Sequence, residues 1–285
     1  MKILDGKRLG QEISEKLKLE IATIKNNDNR ELSLAILQVG NNSASNIYIR
    51  NKITLAEKIG IRYELIRFED QVDQSEIIGK IESLNSNPNV TGIILQLPIP
   101  GHLNKNEIIN KIHPSKDVDG LGEINLAKLI NGDDSGIVPA TAAGIITILQ
   151  ANNIKIEGKN VVVVGRSILV GKTTALSLLN HNASVTICHS FSQNLDKIIY
   201  EADIIVSATG LHGTINKNNT KEGQILVDVG ISFLENKMVG DSDLSEEDRD
   251  KLRSYTPVPG GVGPMTVISL FNNLLKAHEL QKKPA

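Results

Sequence analysis

Short runs of β-branched and aliphatic residues alternate along the chain with longer stretches whose apolar positions recur at three and four residues. Residues 31–39 (ELSLAILQV), 63–68 and 90–97 (VTGIILQL) predict strands. Residues 43–59 and 74–85 predict helices, the first with Ser43 as its N-cap and Gly60 as its stop. Such a β-α-β-α-β series is the signature of a parallel sheet covered by helices. Residues 98–139 hold Pro98, Pro100, Pro114 and Pro139 and predict loops around one short helix; long loops in a compact domain are often functional. A second alternating series follows. It predicts helices over 141–152, 171–180 and 195–200, and strands over 160–164 (NVVVV), 184–187, 203–207 and 224–228. An acidic, exposed helix over 245–253 and a final helix over 262–279, with Pro264 near its first turn, complete the chain. The division falls near residue 140: residues 1–139 with 264–285 are expected to form one domain and 140–263 a second, the last helix returning to the first after the Pro/Gly-rich loop at 257–264.

Length agrees with that division, since 285 residues at about 150 per domain give two. An apolar fraction of 40% is enough for a real core and too much for a disordered chain. Lys and Arg number 31 against 33 Asp and Glu, a formal net charge of −2, so nothing in the charge favours nucleic acid or an anionic membrane as a partner. No apolar run approaches the ~18 residues of a membrane span. Asp5 stands where a signal peptide would need an apolar stretch, which makes a cytoplasmic location the expectation. The single cysteine, Cys188, excludes an internal disulfide and a cysteine-based zinc site.

Residues 161–171 read VVVVGRSILVG, a buried strand running into a glycine turn and then a helix. That context suits a bound phosphate: no side chain stands in the way and helix N–H groups point at the anion. A Rossmann-type dinucleotide site and a P-loop compete, because Gly171-Lys172-Thr173 imitates the end of a Walker A motif. The P-loop needs glycine five positions before Gly171, where Arg166 stands, so it is the weaker reading. Ser167 replaces the second glycine of G-x-G-x-x-G, and a plain strand–turn–helix without a ligand stays open. An NAD site usually carries a carboxylate at the end of the next strand. Here that strand ends in Cys188-His189-Ser190, and Arg166 beside the turn offers a planar fork to a 2′-phosphate. NADP is therefore favoured over NAD, although His189 and Ser190 also fit ordinary loop polarity.

Ser45, Tyr48 and Lys52 share one face of the 43–59 helix. On that pattern alone a packed tyrosine and a solvated lysine are the commoner outcome. The functional alternative is a lysine against an aromatic wall, its pKa lowered in a cleft so that it relays protons near neutrality. Gln96 ends an apolar strand, at the edge where α/β sheets bind ligands, and a glutamine buried there needs a polar partner. Asp119, in Lys116-Asp117-Val118-Asp119-Gly120, fits a turn-former as well as a ligand.

Together these motifs form a recognisable set. Ser45-x-x-Tyr48-Ile49-x-x-Lys52, Gln96-Leu97-Pro98-Ile99-Pro100, Lys116 to Gly120, Gly165-Arg166-Ser167 with Val170-Gly171, and Thr256-Pro257-Val258-Pro259-Gly260-Gly261-Val262-Gly263-Pro264-Met265-Thr266 occur in this order. The chain closely resembles the bifunctional methylenetetrahydrofolate dehydrogenase/cyclohydrolase family, from Leu4-Asp5-Gly6-Lys7 to the last helix. The resemblance implies two three-layer α/β domains around a cleft, the first binding folate and catalytic, the second a Rossmann-type NADP-binding domain. It implies NADP-dependent oxidation of 5,10-methylenetetrahydrofolate, then hydrolysis to 10-formyltetrahydrofolate, without a metal and in a homodimer. By matching motifs, Lys52 is the expected catalytic lysine, with Gln96 hydrogen-bonded to it, Tyr48 stacked on the aminobenzoate ring and Asp119 on the pterin. Leu97, Pro259, Gly260, Gly261 and Val262 are expected to border the folate, the glycines letting backbone approach it. Gly165, Arg166, Ser167, Val170, Gly171, His189, Ser190, Thr209, Gly210, Gly230 and Ile231 are expected at the cofactor.

Several positions depart from the family's pattern. Ala142 replaces a proline in Pro139-Ala140-Thr141-Ala142-Ala143-Gly144, which is expected to loosen the start of the helix that follows. Thr173 stands where proline is frequent, Thr54 where a second basic residue is common, and Ser242 where a hydrophobic residue is usual. None of these is Lys52, Gln96 or Asp119. A dehydrogenase or cyclohydrolase alone, a P-loop nucleotide hydrolase and a non-catalytic dinucleotide-binding subunit are the alternatives.

Overall fold

The computed structural model describes residues 2–28, 30–235 and 237–282. Contacts divide the chain into two units: residues 12–140 with the chain from 267 onward, and the first eleven residues with 141–266. The chain opens with a short strand β1 (Lys2–Ile3) and a 23-residue helix α1 (Gly6–Asp28), which the hydropathy pattern did not single out. Its buried face reads Gly6, Gly10, Ser14, Leu17 and Ile21, so the first turns bury small residues that carry no apolar signal.

In the 12–140 unit, β2 (Ser33–Val39), α2 (Ser43–Ile59), β3 (Arg62–Phe68), α3 (Gln74–Ser86) and β4 (Gly92–Leu95) give a three-stranded parallel sheet in the order β3-β2-β4. The apolar side chains of β2 and β4 meet Ile77, Ile81 and Leu84 of α3, spaced to line one helix face. Asn42, not the expected Ser43, caps α2: its backbone is extended and its side chain accepts from Ser45 N, while Ser43 is already helical. Gly60 ends the helix in the left-handed region, as its missing Cβ allows.

The stretch 98–139 carries two short helices where one was expected, α4 (Lys105–Asn110) and α5 (Glu123–Ile130). Between them the Lys116–Gly120 segment runs beside β4, bridged at Ile93–Asp117, with Ile93 N donating to Lys116 O at 2.7 Å. Lys116 turns inward and donates to Leu84 O, Asn85 O and Asn87 O at 3.0, 2.8 and 2.8 Å, a second donor for Leu84 O and Asn87 O, which also accept from Asn87 N and Val90 N, at the end of α3. Asp117, also buried, accepts from Gly120 N, Gly122 N and Asn125 Nδ2 at 3.0, 2.8 and 3.0 Å.

The second unit holds α6 (Ala140–Ala151), β5 (Asn160–Val164), a π-helical turn (Ile168–Lys172), α7 (Thr173–Asn180), β6 (Ser184–Cys188), α8 (Leu195–Glu201) and β7 (Ile204–Ser207). Then come β8 (Ile215–Asn216), β9 (Ile225–Asp228), a hairpin of β10 (Ser232–Leu234) and β11 (Lys237–Val239), β12 (Ser242–Asp243), α9 (Glu246–Lys251) and β13 (Ser254–Tyr255). Helix α10 (Val262–Lys282) ends the described chain. The main sheet is parallel, in the order β1-β13-β9-β7-β5-β6. Its edge is thus supplied by the N-terminus, which the division at 140 had assigned to the other domain. Two backbone bonds hold it there, Lys2 N to Arg253 O at 3.1 Å and Leu4 N to Tyr255 O at 2.8 Å. Helix α6 is regular from Ala140, so Ala142 does not unwind its start. Strand order reverses between β5 and β7, the topological position where open α/β sheets take a ligand.

Lys116→Met would remove three charge-assisted bonds at the end of α3, taking from Asn85 O its ammonium donor and leaving Leu84 O and Asn87 O with one backbone donor each. A destabilisation of about 2 kcal/mol is expected in urea unfolding of the full chain; an unchanged midpoint would show that water replaces the ammonium at no cost.

Candidate active site

Lys52 lies on α2, one turn after Tyr48, and is only 9% exposed. Its Nζ donates to Gln96 Oε1 at 2.9 Å. Gln96 follows β4, where its amide Nε2 donates to Leu97 O at 2.7 Å. That second bond sets the amide's orientation, so its oxygen rather than its nitrogen meets the lysine. Ser45 Oγ, from the first turn of α2, reaches the same Leu97 carbonyl at 3.4 Å. Leu97 therefore contributes its carbonyl here, while its side chain packs on the core.

Burial pushes the Lys52 amine below its ordinary value of 10.5, and the Asp119 carboxylate works against that shift. Burial pushes the Asp119 carboxyl up, and the Lys52 charge pulls it back. Each group thus limits the loss of the other's charge. Asp119 is held by the 116–122 turn: Gly120, at φ +71°, has no room for a side chain, since a Cβ would lie 2.8 Å from Ile137 O and Pro139 N. From α10, Asn273 Nδ2 ties this turn down, donating to Val118 O at 2.9 Å and Val138 O at 2.8 Å. Tyr48 is 38% exposed, and partial burial raises its phenol. The same unit thus brings Tyr48, Lys52, Gln96 and Asp119 to the carboxyl end of its sheet.

In the second unit, Gly165 follows β5 at φ +130°, and a Cβ there would lie 2.5 Å from Ala208 O. Gly171 packs against Gly165 O so closely that a Cβ would overlap it. The Ser167 hydroxyl caps the π-helical turn, accepting from Val170 N at 3.2 Å. The helix expected from residue 171 therefore begins at Ile168, its first turn widened into a π-helical one in this loop. Thr173 Oγ1 donates back to Val170 O at 3.1 Å and is buried, while Lys172 points to solvent. A P-loop would present both to a nucleotide, so the Walker-like spelling has no counterpart in the fold. Arg166, His189 and Ser190 lie at the adjoining tips of β5 and β6.

Two buried carboxylates were missed in the sequence. Asp228, ending β9, accepts from Gly230 N at 3.2 Å and from Asp241 N and Ser242 N at 2.9 Å. Asp241 accepts from Ser207 Oγ and Thr209 N, both at 2.7 Å. Burial pushes the Asp228 carboxyl up, and the neighbouring Asp241 charge adds to this. The pair lashes together the loops after β7 and β9 that carry Thr209, Gly210, Gly230 and Ile231. Gly230 is glycine because a Cβ would overlap the Asp241 carboxylate, not because backbone must approach a ligand. Asp-x-Gly at 228–230 and Gly-Asp at 240–241, each at the end of an apolar strand, were the available signal.

The 257–264 loop packs closely against α1. Gly261 is buried, with its carbonyl so close to Gly6 that a Cβ on Gly6 would overlap it, and Val262 is buried too. Pro259 is exposed, and Gly260 O accepts from Lys7 N at 2.9 Å. Gly6 therefore admits the close approach of α1 to this loop, while a Cβ on Gly261 would lie 2.6 Å from Pro257 O within the loop itself.

Gly165→Ala forces a methyl group against Ala208 O. At least a tenfold loss of NADP affinity, about 1.4 kcal/mol, is expected by fluorescence titration; unaltered affinity would mean that the loop shifts freely.

Two family models match the chain: "Tetrahydrofolate dehydrogenase/cyclohydrolase, catalytic domain" over residues 4–119, and "Tetrahydrofolate dehydrogenase/cyclohydrolase, NAD(P)-binding domain" over residues 139–282. The "Bifunctional protein FolD" of Rickettsia bellii is 44% identical over 279 residues, 98% of each chain. The crystal structure of the bifunctional FolD enzyme of Campylobacter jejuni is similar at a TM-score of 0.96 and 40% identity, covering 99% of both chains. The Trypanosoma brucei enzyme, complexed with NADP and an inhibitor, follows at a TM-score of 0.93 and 31% identity, over 99% of this chain and 98% of that one. With both models matched and relatives of this identity along its whole length, the chain belongs to the tetrahydrofolate dehydrogenase/cyclohydrolase family.

Proposed function

We infer that the protein is a bifunctional folate enzyme. It oxidises 5,10-methylenetetrahydrofolate with NADP⁺ and hydrolyses the 5,10-methenyl product to 10-formyltetrahydrofolate. The observation that carries the reading is the buried Lys52 amine on Gln96 Oε1, under the influence of Asp119, in a member of this family. Glycines at 165 and 171, where a Cβ would fill the turn, fit the backbone-lined cradle a dinucleotide phosphate needs. Bound NADP⁺ supplies the hydride acceptor. In this reading Gly165, Ser167, Val170 and Gly171 hold the diphosphate, Arg166 and Ser190 the 2′-phosphate, and the loops lashed by Asp228 and Asp241 the remainder.

The chemistry explains why a lysine taken out of water suits the folate site. The methenyl product is a cation, and a second fixed positive charge beside it would oppose its formation. A lysine whose neutral form is favoured by burial avoids that conflict. In the hydrolysis a water oxygen bonds to the methenyl carbon while Lys52 Nζ accepts the water's proton. The carbon–N5 bond then breaks as the lysine returns that proton to N5, and the hydroxyl on the carbon loses its proton to solvent to become the formyl C=O on N10, so that one proton is released overall. Gln96 takes one amine N–H and so directs the amine's remaining positions. Tyr48 is proposed to stack on the aminobenzoate ring and Asp119 to accept from the pterin. Of the 257–264 loop, Pro259, Gly260, Gly261 and Val262 are proposed as folate neighbours.

Among the described residues no helix is long and apolar enough to cross a membrane. A cytoplasmic homodimer is the proposed state, which light scattering of the purified protein tests by mass.

Lys52→Met is expected to abolish cyclohydrolase activity while NADP binding persists. In the parent enzyme the neutral fraction of Lys52 grows as pH rises through its depressed pKa. Hydrolysis, corrected for the uncatalysed rate, should therefore rise with pH and level off below the ordinary lysine value of 10.5. A mutant that hydrolyses methenyltetrahydrofolate at the parental rate would end the assignment of Lys52.

A further inference from the structure

Phe191 is an apolar side chain that the fold goes to some length to hold in water. It is 78% exposed, yet the turn that carries it is closed three times. Ser192 N donates to His189 O at 2.8 Å, His189 N donates to Ser192 Oγ at 2.9 Å, and Phe191 N donates to His189 Nδ1 at 3.2 Å. The last bond makes Nδ1 the acceptor in the neutral ring. The imidazole also meets the phenyl edge-on, centroids 6.1 Å apart at 70°. A turn secured by backbone and side chains alike does not serve burial here, since the ring it presents stays in solvent. What the ring does meet is Arg166: the guanidinium carbon stands 5.5 Å from the ring centroid.

The location gives that contact a meaning. The turn follows β6, at the strand tip where dinucleotide sites of this architecture discriminate at the ribose 2′ position. Arginine is a long, rotamer-rich side chain, and in water it spends little time in any one geometry. An aromatic face attracts the guanidinium and lies parallel to its preferred stacking plane, leaving the N–H edge open to a phosphate. We propose that Phe191 is a specificity-determining positioning residue, its ring holding the Arg166 guanidinium ready for the 2′-phosphate of NADP⁺. The proposal rests on the assignment of Arg166 to that phosphate. It predicts an effect on NADP⁺ that NAD⁺ does not share, because NAD⁺ offers Arg166 nothing to bind. A ring that stacked on adenine, or merely stabilised the turn, would act on both cofactors alike.

The test is steady-state dehydrogenase kinetics with NADP⁺ and NAD⁺ on the full-length enzyme and its Phe191→Ala, Phe191→Leu, Phe191→Tyr, Arg166→Ala and Phe191→Ala/Arg166→Ala variants, with thermal melts as the check on folding. Phe191→Ala and Phe191→Leu are expected to raise the KM for NADP⁺ about three- to tenfold and to leave that for NAD⁺ nearly unmoved. Phe191→Tyr, which keeps an aromatic face, should restore the parental ratio. The double variant should be no worse than Arg166→Ala, since the ring acts only through the arginine. Equal losses for both cofactors, no loss at all, or additive effects in the double variant would each overturn the role of Phe191. A selective Arg166→Ala beside an indifferent Phe191→Ala would do so while leaving Arg166 in place. An unselective Arg166→Ala would remove the 2′-phosphate assignment and the proposal together.

Discussion

Withdrawing the Lys52 ammonium from water is unfavourable, and much of the 12–140 unit is arranged around that withdrawal. An isolated charge in such a place would simply be lost. Here Gln96 supplies one hydrogen-bond acceptor and Asp119 an opposing charge that works against the downward push of burial on the amine. Neither partner is free to drift. Gln96 is fixed by its bond to Leu97 O, and Asp119 sits in a turn anchored by Lys116, Asp117 and Asn273. The second lysine of the unit makes the contrast: Lys116 is buried as well, but three carbonyls satisfy it, and its work is to close the end of α3.

The dinucleotide-binding unit solves a different problem, which is to bring backbone close to backbone. Gly165 and Gly171 permit the turn after β5 to fold on itself, and Ser167 takes up N–H groups of the π-helical turn. On the far side of the switch point the loops have no such glycine run. Two buried carboxylates, Asp228 and Asp241, gather their N–H groups instead. Gly230 and Gly240 make room for those carboxylates. One end of the sheet is thus shaped by the absence of side chains and the other by charged ones.

Helix positions with strong apolar periodicity, such as Ile77, Ile81 and Leu84, were legible in the sequence, as were the all-apolar inner strands. Helix α1 was not, because its buried face begins with Gly6, Gly10 and Ser14, chosen for closeness rather than for hydrophobicity. Of the two short helices α4 and α5 only one was expected, both being too short for a period to declare itself. Asn42 and Ser43 both suit an N-cap by composition, and only the backbone angles separate them.

The sequence by itself determined the alternation of strands and helices, the glycine turn after a buried strand, and the run of motifs that marks the family. These are local, carried by residues near one another in the chain, and local propensity and periodicity record them. The family motifs paired Lys52 with Gln96, 44 positions apart, but only the tertiary structure decided that the amide oxygen meets the amine while Leu97 O holds the amide nitrogen. It also gave residues 2–3 to the sheet of the second unit, set Gly261 against Gly6, and brought Asp241 to the loops after β7 and β9. Each depends on where distant segments meet, and that meeting is set by the packing of the whole core, which no single stretch of sequence contains.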